Sequence, residues 1–137
     1  MFDYTKEKQI VDEIGGSLRK LKKQELDDIK GEHQGVPEDY LDFIGEIGSG
    51  DIYDGGYKIY DGLVKPSSIY DEDTAEDLEG VLFFGDDYQG YCVGFDVNDD
   101  WKVVEYDSSL GELDVIAESF SEFIKAKLAR IKSVLDG

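Results

Sequence analysis

Histidine and cysteine are nearly missing from this chain: one of each occurs in 137 residues, along with one tryptophan, one methionine and two prolines. A single cysteine, Cys92, cannot close an internal disulfide or build a cysteine metal cluster. It sits in "GYCVGF", where a free thiol serves as a small hydrophobe. The lone His33 lies in the polar stretch "GEHQG", a setting that predicts a surface residue and not a base or ligand. The two prolines, Pro37 and Pro66, are not part of any Pro/Ser-rich linker, so one domain over 1–137 is expected. The opening "MFDYTKEKQIVDEI" has no unbroken apolar run. No signal peptide or membrane span is therefore expected, and the expected compartment is the cytoplasm.

Basic residues are scarce in the middle. Between 31 and 119 there are three, Lys58, Lys65 and Lys102, against 24 acids, a net −21 in a chain whose total is −19 because the two ends together net +2. Nucleic acid and anionic lipid both demand a basic footprint, so neither is an expected partner. A basic protein would be drawn inward by the same field. Hydrophobic residues still make up 40% and aromatic residues 12% of the chain, enough to close a core instead of leaving it disordered.

Helical spacing of Ile10, Val11, Ile14, Leu18 and Leu21 predicts helix within 5–30, interrupted or kinked at Gly15-Gly16. In "GVPEDYLDFIGEIGSGD", Pro37 suits the first helical position and Glu38 and Asp39 suit the helix dipole. Tyr40, Phe43, Ile44 and Ile47 form the apolar stripe, and Gly48-Ser49-Gly50 ends the segment. From Gly55 the period becomes two. Strands are predicted at 56–62, 81–86, 90–97 and 101–107, the last three forming an antiparallel meander joined at Asp86–Gly90 and Asn98–Asp100. Leu113–Ile116 leads into a last helix whose start, Ser119 with Glu122, is a capping box. Phe120, Phe123, Ile124, Leu128, Ile131 and Leu135 share its apolar face. Residues 65–80 form a long acidic connection with little core material. The fold class is α+β: N-terminal helices, a mainly antiparallel sheet, and a C-terminal helix packed on it.

No catalytic constellation stands out. G-x-S-x-G and phosphate-loop motifs are absent. Asp96, Asn98 and Asp100 match the first positions of a calcium loop, but Trp101 occupies the glycine position and Asp107 the bidentate glutamate position. A polar hairpin turn explains that run better. No catalytic, cofactor or metal site is assigned. Acids mixed with tyrosines fit instead a surface that captures a basic protein. The candidate partner-binding residues are Asp51, Tyr53, Asp54, Asp71, Glu72, Asp73, Asp86, Asp87 and Tyr88.

The order of these motifs resembles the SUKH superfamily, which includes the yeast cell-wall-assembly regulator and many bacterial immunity proteins. The resemblance runs over residues 24–128. It rests on Val36-Pro37 with Tyr40 and Phe43, on Phe84-Gly85 with Gly90, and on Ala117, Ser119, Phe120, Glu122 and Phe123. Val36 stands where leucine is usual. The resemblance implies an α+β fold and an antitoxin without catalysis of its own, which neutralises a cognate toxin, often a nuclease, by direct binding. A regulatory scaffold for a cellular partner is the alternative that the eukaryotic members imply. The glycines and Ser119 have structural explanations as turns and a cap, and no partner-contacting residue carries over.

Overall fold

Alternation along the chain builds a seven-stranded sheet. The computed structural model describes residues 3–53 and 56–136. The elements run α1 (Thr5–Glu13), β1 (Ser17–Arg19), α2 (Lys23–Glu32), α3 (Glu38–Glu46), β2 (Ser49–Tyr53) and β3 (Tyr57–Val64). A single 3-10 turn (Pro66–Ser68) leads to α4 (Glu72–Asp77). Then come β4 (Val81–Asp86), β5 (Tyr91–Asp96), β6 (Lys102–Asp107), β7 (Glu112–Ala117) and α5 (Phe120–Asp136). The strands lie in sequence order, β1 to β7, each antiparallel to the next. The expected α+β plan of N-terminal helices, antiparallel sheet and packed C-terminal helix is the one observed.

β4 is central in that order, and both of its faces are covered. The consecutive residues Phe83 and Phe84 point to opposite sides, as strand geometry requires, and both are fully buried. Phe84 joins the main core beneath α3 and α5, where its ring meets Phe95 at 4.9 Å and Phe120 at 5.1 Å. Tyr40 and Phe43 reach the same cluster from α3. Each such aromatic pair adds about 0.5–1.5 kcal/mol beyond simple burial. Phe83 faces a second, smaller cluster with Leu78, Val81, Cys92, Val104 and Tyr106, flanked by Tyr60 and Tyr70.

That second cluster corrects the reading of 65–80 as a connection without core material. Leu78 is buried and Tyr70 packs edge-on against Phe83 and Tyr106, so the segment covers the back of the sheet. The run at 5–30 is likewise two helices separated by β1. Gly15 adopts φ +81°, and a Cβ on Gly16 would meet the Ile52 carbonyl at 2.6 Å, so the glycine pair turns the chain into a strand. Ser49-Gly50, read as part of the helix stop, opens β2, and α3 itself ends at Glu46. Leu113–Ile116 belongs to a six-residue strand, β7, which pairs with β6 before α5 begins. Gly85 is not a turn residue either. It lies within β4, where a side chain would strike the Lys58 carbonyl at 2.4 Å.

Two helix details also shift. Pro37 caps α3 from just outside, with Glu38 as the first helical residue. In α5, Ser119 Oγ accepts the Glu122 N–H at 3.2 Å, one of the two bonds of the expected capping box, and Leu135 is exposed and not part of the buried face. Among the described residues, no helix is long and apolar enough to cross a membrane.

Candidate functional site

The turn from β4 to β5 is shaped by its own acids. Asp86 Oδ1 accepts the Tyr88 N–H at 2.9 Å, and Asp87 Oδ1 accepts those of Gln89 and Tyr91 at 2.8 and 3.1 Å. Tyr88 at φ 63° and Gly90 at φ 102° complete the reversal. These side chain to backbone bonds are what Asp offers in a tight turn.

Sheet register then gathers neighbours. Asp51 lies opposite Lys58, and Lys58 opposite Asp86, which places all three in one row across β2, β3 and β4. Tyr60 donates its hydroxyl to Asp86 Oδ2 at 2.6 Å, and the Tyr88 hydroxyl donates to Asp51. Burial, followed by that bond to Asp86, pushes the Tyr60 phenol well above its ordinary range, so it stays a donor. Tyr70 donates to Cys92 Sγ at 3.1 Å, and Cys92 sits opposite Asp86 in the register. The Cys92 thiol is pushed up chiefly by burial, which fits the small-hydrophobe reading.

Tyr53 and Asp87 face the other side of the sheet. There they line a groove of about 560 Å³ between the strands and the second half of α5, together with Tyr91 and Glu105. Lys127 and Arg130 close it from the helix, and the exposed Val134 and Leu135 form its apolar lip. The Lys127 ammonium lies 4.5 Å from the centre of the Tyr57 ring. Burial raises the Glu105 carboxyl, Lys127 partly offsets this, and Asp87, Asp114 and Asp107 add to the rise. Burial lowers the Lys127 ammonium against the pull of Glu105.

Asp71, Glu72 and Asp73 stand apart at the start of α4, all exposed. Asp71 caps that helix by accepting the Thr74 N–H at 2.9 Å, and its bonds to Thr74 lower its carboxyl. Asp54 lies outside the described residues. The eight predicted residues that are described therefore do not converge on one point. Asp51, Asp86 and Tyr88 form one cluster, Tyr53 and Asp87 border the groove behind it, and the α4 acids make a third patch.

Sequence reasoning missed a further group. On the groove side of the sheet, Glu105 lies opposite Asp114 and Asp107 opposite Glu112. Alternation within β6 and β7 gives these residues matching parity, but only with β7 recognised as a strand does the pairing become visible. The Tyr91 phenol adjoins them and is raised, first by the charge of Asp107.

The remaining chemistry candidates resolve simply. Among the described residues, no group of three or more His, Cys, Asp or Glu side chains is placed to hold a metal ion. The run from Asp96 is a hairpin turn in which Asp96 Oδ1 accepts the Asn98 N–H at 3.1 Å, and β6 follows at once. His33 is less open than its polar surroundings suggest, with its side chain 14% exposed at the end of α2.

Comparison with known proteins adds one finding. The model of the SMI1 / KNR4 family (SUKH-1) matches residues 20–126, from the end of β1 into α5. No curated protein and no solved structure gives a significant match.

Proposed function

We propose that this chain, which belongs to the SMI1 / KNR4 family (SUKH-1), is a cytoplasmic immunity protein that neutralises a cognate basic toxin by binding over its active face. The observation that carries the reading is the strongly acidic central section, with 24 acids against three basic residues between 31 and 119, arranged around tyrosines on the sheet. A toxin that cleaves nucleic acid must itself hold polyphosphate and so presents a basic surface. An acidic inhibitor competes for that surface without breaking or making a bond. Its field accelerates encounter, and charge complementarity orients the pair.

The affinity then comes from a few well-packed side chains and less from total charge. Tyr53, Tyr88 and Tyr91 supply large, partly exposed rings beside Asp51, Asp86 and Asp87. Asp71, Glu72 and Asp73 act at longer range from α4. The test is association of the purified protein with the toxin domain encoded beside it, measured from about 0.02 M to about 0.5 M salt. An association rate that falls at least about tenfold over that range supports the reading, because the Debye length contracts to a few ångströms. Absence of binding at low salt rejects it. A pull-down yielding only housekeeping proteins would favour a non-catalytic regulatory role instead.

A further inference from the structure

Every open sheet has two edges, and this one treats them differently. β1 is blunted: it is three residues long, and its Arg19 is tied back to Glu25 on α2 by paired bonds of 2.9 Å. β7 is six residues long, ends the strand order, and is exposed from Glu112 through Ile116. Its outer N–H and C=O groups are a template for another strand. The two faces of β7 differ in chemistry. Leu113 and Val115, opposite Tyr106 and Val104, continue the apolar back face outward and are 37% and 54% exposed. Glu112 and Asp114 project to the groove side.

The acidic row on β7 is electrostatically unsatisfied. Asp114 lies directly across from Glu105, and Glu112 from Asp107, an arrangement that weakens a sheet. Among the described residues, none of these four carboxylates takes part in an ion pair, and Lys127 acts on Glu105 only at longer range. A second copy of the chain cannot relieve this. Two-fold antiparallel pairing centred on Leu113, Asp114 or Val115 sets Glu112 against Asp114, Asp114 against itself, or Glu112 against Glu118. Each copy also brings a net charge of −19.

We propose that β7 is a docking edge for one extended segment of a basic protein partner, added as an eighth strand with alternating basic and apolar residues. Its basic side chains lie beside Glu112 and Asp114, its apolar ones beside Leu113 and Val115, and its backbone completes the ladder. The acids thus reject self-association and select the partner at the same time. This deepens the immunity reading and rests on it for the partner's identity as a toxin. The edge itself is testable without any toxin.

The probe is a capped hexapeptide alternating lysine and valine, compared with a hexapeptide of the same composition in two blocks. Binding is followed by amide NMR and by hydrogen exchange of the whole protein. The alternating peptide is expected to shift resonances of 112–117, to protect alternate β7 amides, and to bind at least about tenfold tighter than the block peptide. The double variant Glu112→Lys with Asp114→Lys should lose at least about tenfold in affinity, from two reversed cross-strand pairs. Its amide spectrum away from β7 should stay unchanged, since both positions are exposed. Equal binding of the two peptides, shifts centred on α4 or the α5 groove, or an unaffected double variant would each overturn the edge assignment. If the neighbouring toxin binds wild type and double variant alike, the edge fails while the immunity reading stands. If no toxin binds, the immunity reading fails and the peptide result alone decides the edge.

Discussion

Asp39 joins parts of the chain that lie far apart in sequence, and its substitution gives a sharp test of how the helices are held. The residue sits in the first turn of α3, where its charge suits the helix dipole. It is also only 5% exposed. Oδ1 accepts its neighbour's N–H, that of Tyr40, at 2.8 Å, while Oδ2 accepts the Ser121 N–H at 2.8 Å from the start of α5. One carboxylate thus serves the free N–H groups of two helix N-termini, 82 residues apart in sequence.

Asp39→Asn preserves the size and removes the charge. One carboxylate oxygen becomes an NH2, so at one of the two sites a donor faces a donor. A hydrogen bond to a charged group contributes about 1.5–3 kcal/mol, and the dipole term at a helix start about 0.3–1 kcal/mol. A loss of about 2–4 kcal/mol is expected, which for a chain of this size lowers the melting temperature by about 10 °C. The assay is urea unfolding of wild type, Asp39→Asn, Asp39→Ala and, as an exposed acidic control, Asp73→Asn. Asn should cost nearly as much as Ala, with the slope against urea unchanged, and the control should stay within about 0.5 kcal/mol. If Asn were harmless and Ala costly, Asp39 would be filling space only, and the argument from its charge would be refuted.

Two further predictions concern titration. The Arg19 guanidinium, which hydrogen-bonds Glu25, and the Lys22 N–H lower the Glu25 carboxyl to about 2. Because this is a depressed acid, its contribution to stability is present above the ordinary carboxylate range and is lost as pH falls towards about 2. An NMR titration should find that midpoint in wild type and a return towards the ordinary value in Arg19→Ala; an unchanged midpoint would discount the pair. Glu105 has the opposite sign: its carboxyl is raised, so the folded state holds its proton longer and stability falls as pH rises through that window. Glu105→Gln should therefore raise the melting temperature near neutral pH, with the gain fading below the ordinary carboxylate range, and a destabilised variant at neutral pH would contradict the burial argument.

The parts of the fold that were legible in the sequence are those governed by short-range rules. Strands 81–86 and 101–107 announced themselves by short runs of β-branched and aromatic residues between turns, α3 by its apolar stripe after Pro37, and α5 by Ser119 and its following run. The elements that were missed share a cause. β1 has three residues, too few to show a period, and β2 begins with "SGD", a composition that reads as a loop. β7, "ELDVIA", alternates only over Glu112–Val115 before the apolar Ile116 and Ala117 break the period, and it runs almost directly into α5. In 65–80 the core contribution rests on Tyr70 and Leu78, isolated residues whose burial depends on the sheet beneath them.

The candidate surface divides along the same line. The density of negative charge between 31 and 119 is a property of composition, and no folding of the chain could remove it. Which carboxylates stand side by side is a property of register. Asp51 meets the Asp86 cluster because β3 lies between them, and Glu105 faces Asp114 because β6 and β7 pair there. Local propensity and charge act over a few residues and can be read along the chain. Strand pairing joins residues far apart by backbone hydrogen bonds that any side chain permits, so only the assembled sheet selects which acids become neighbours and which edge remains open.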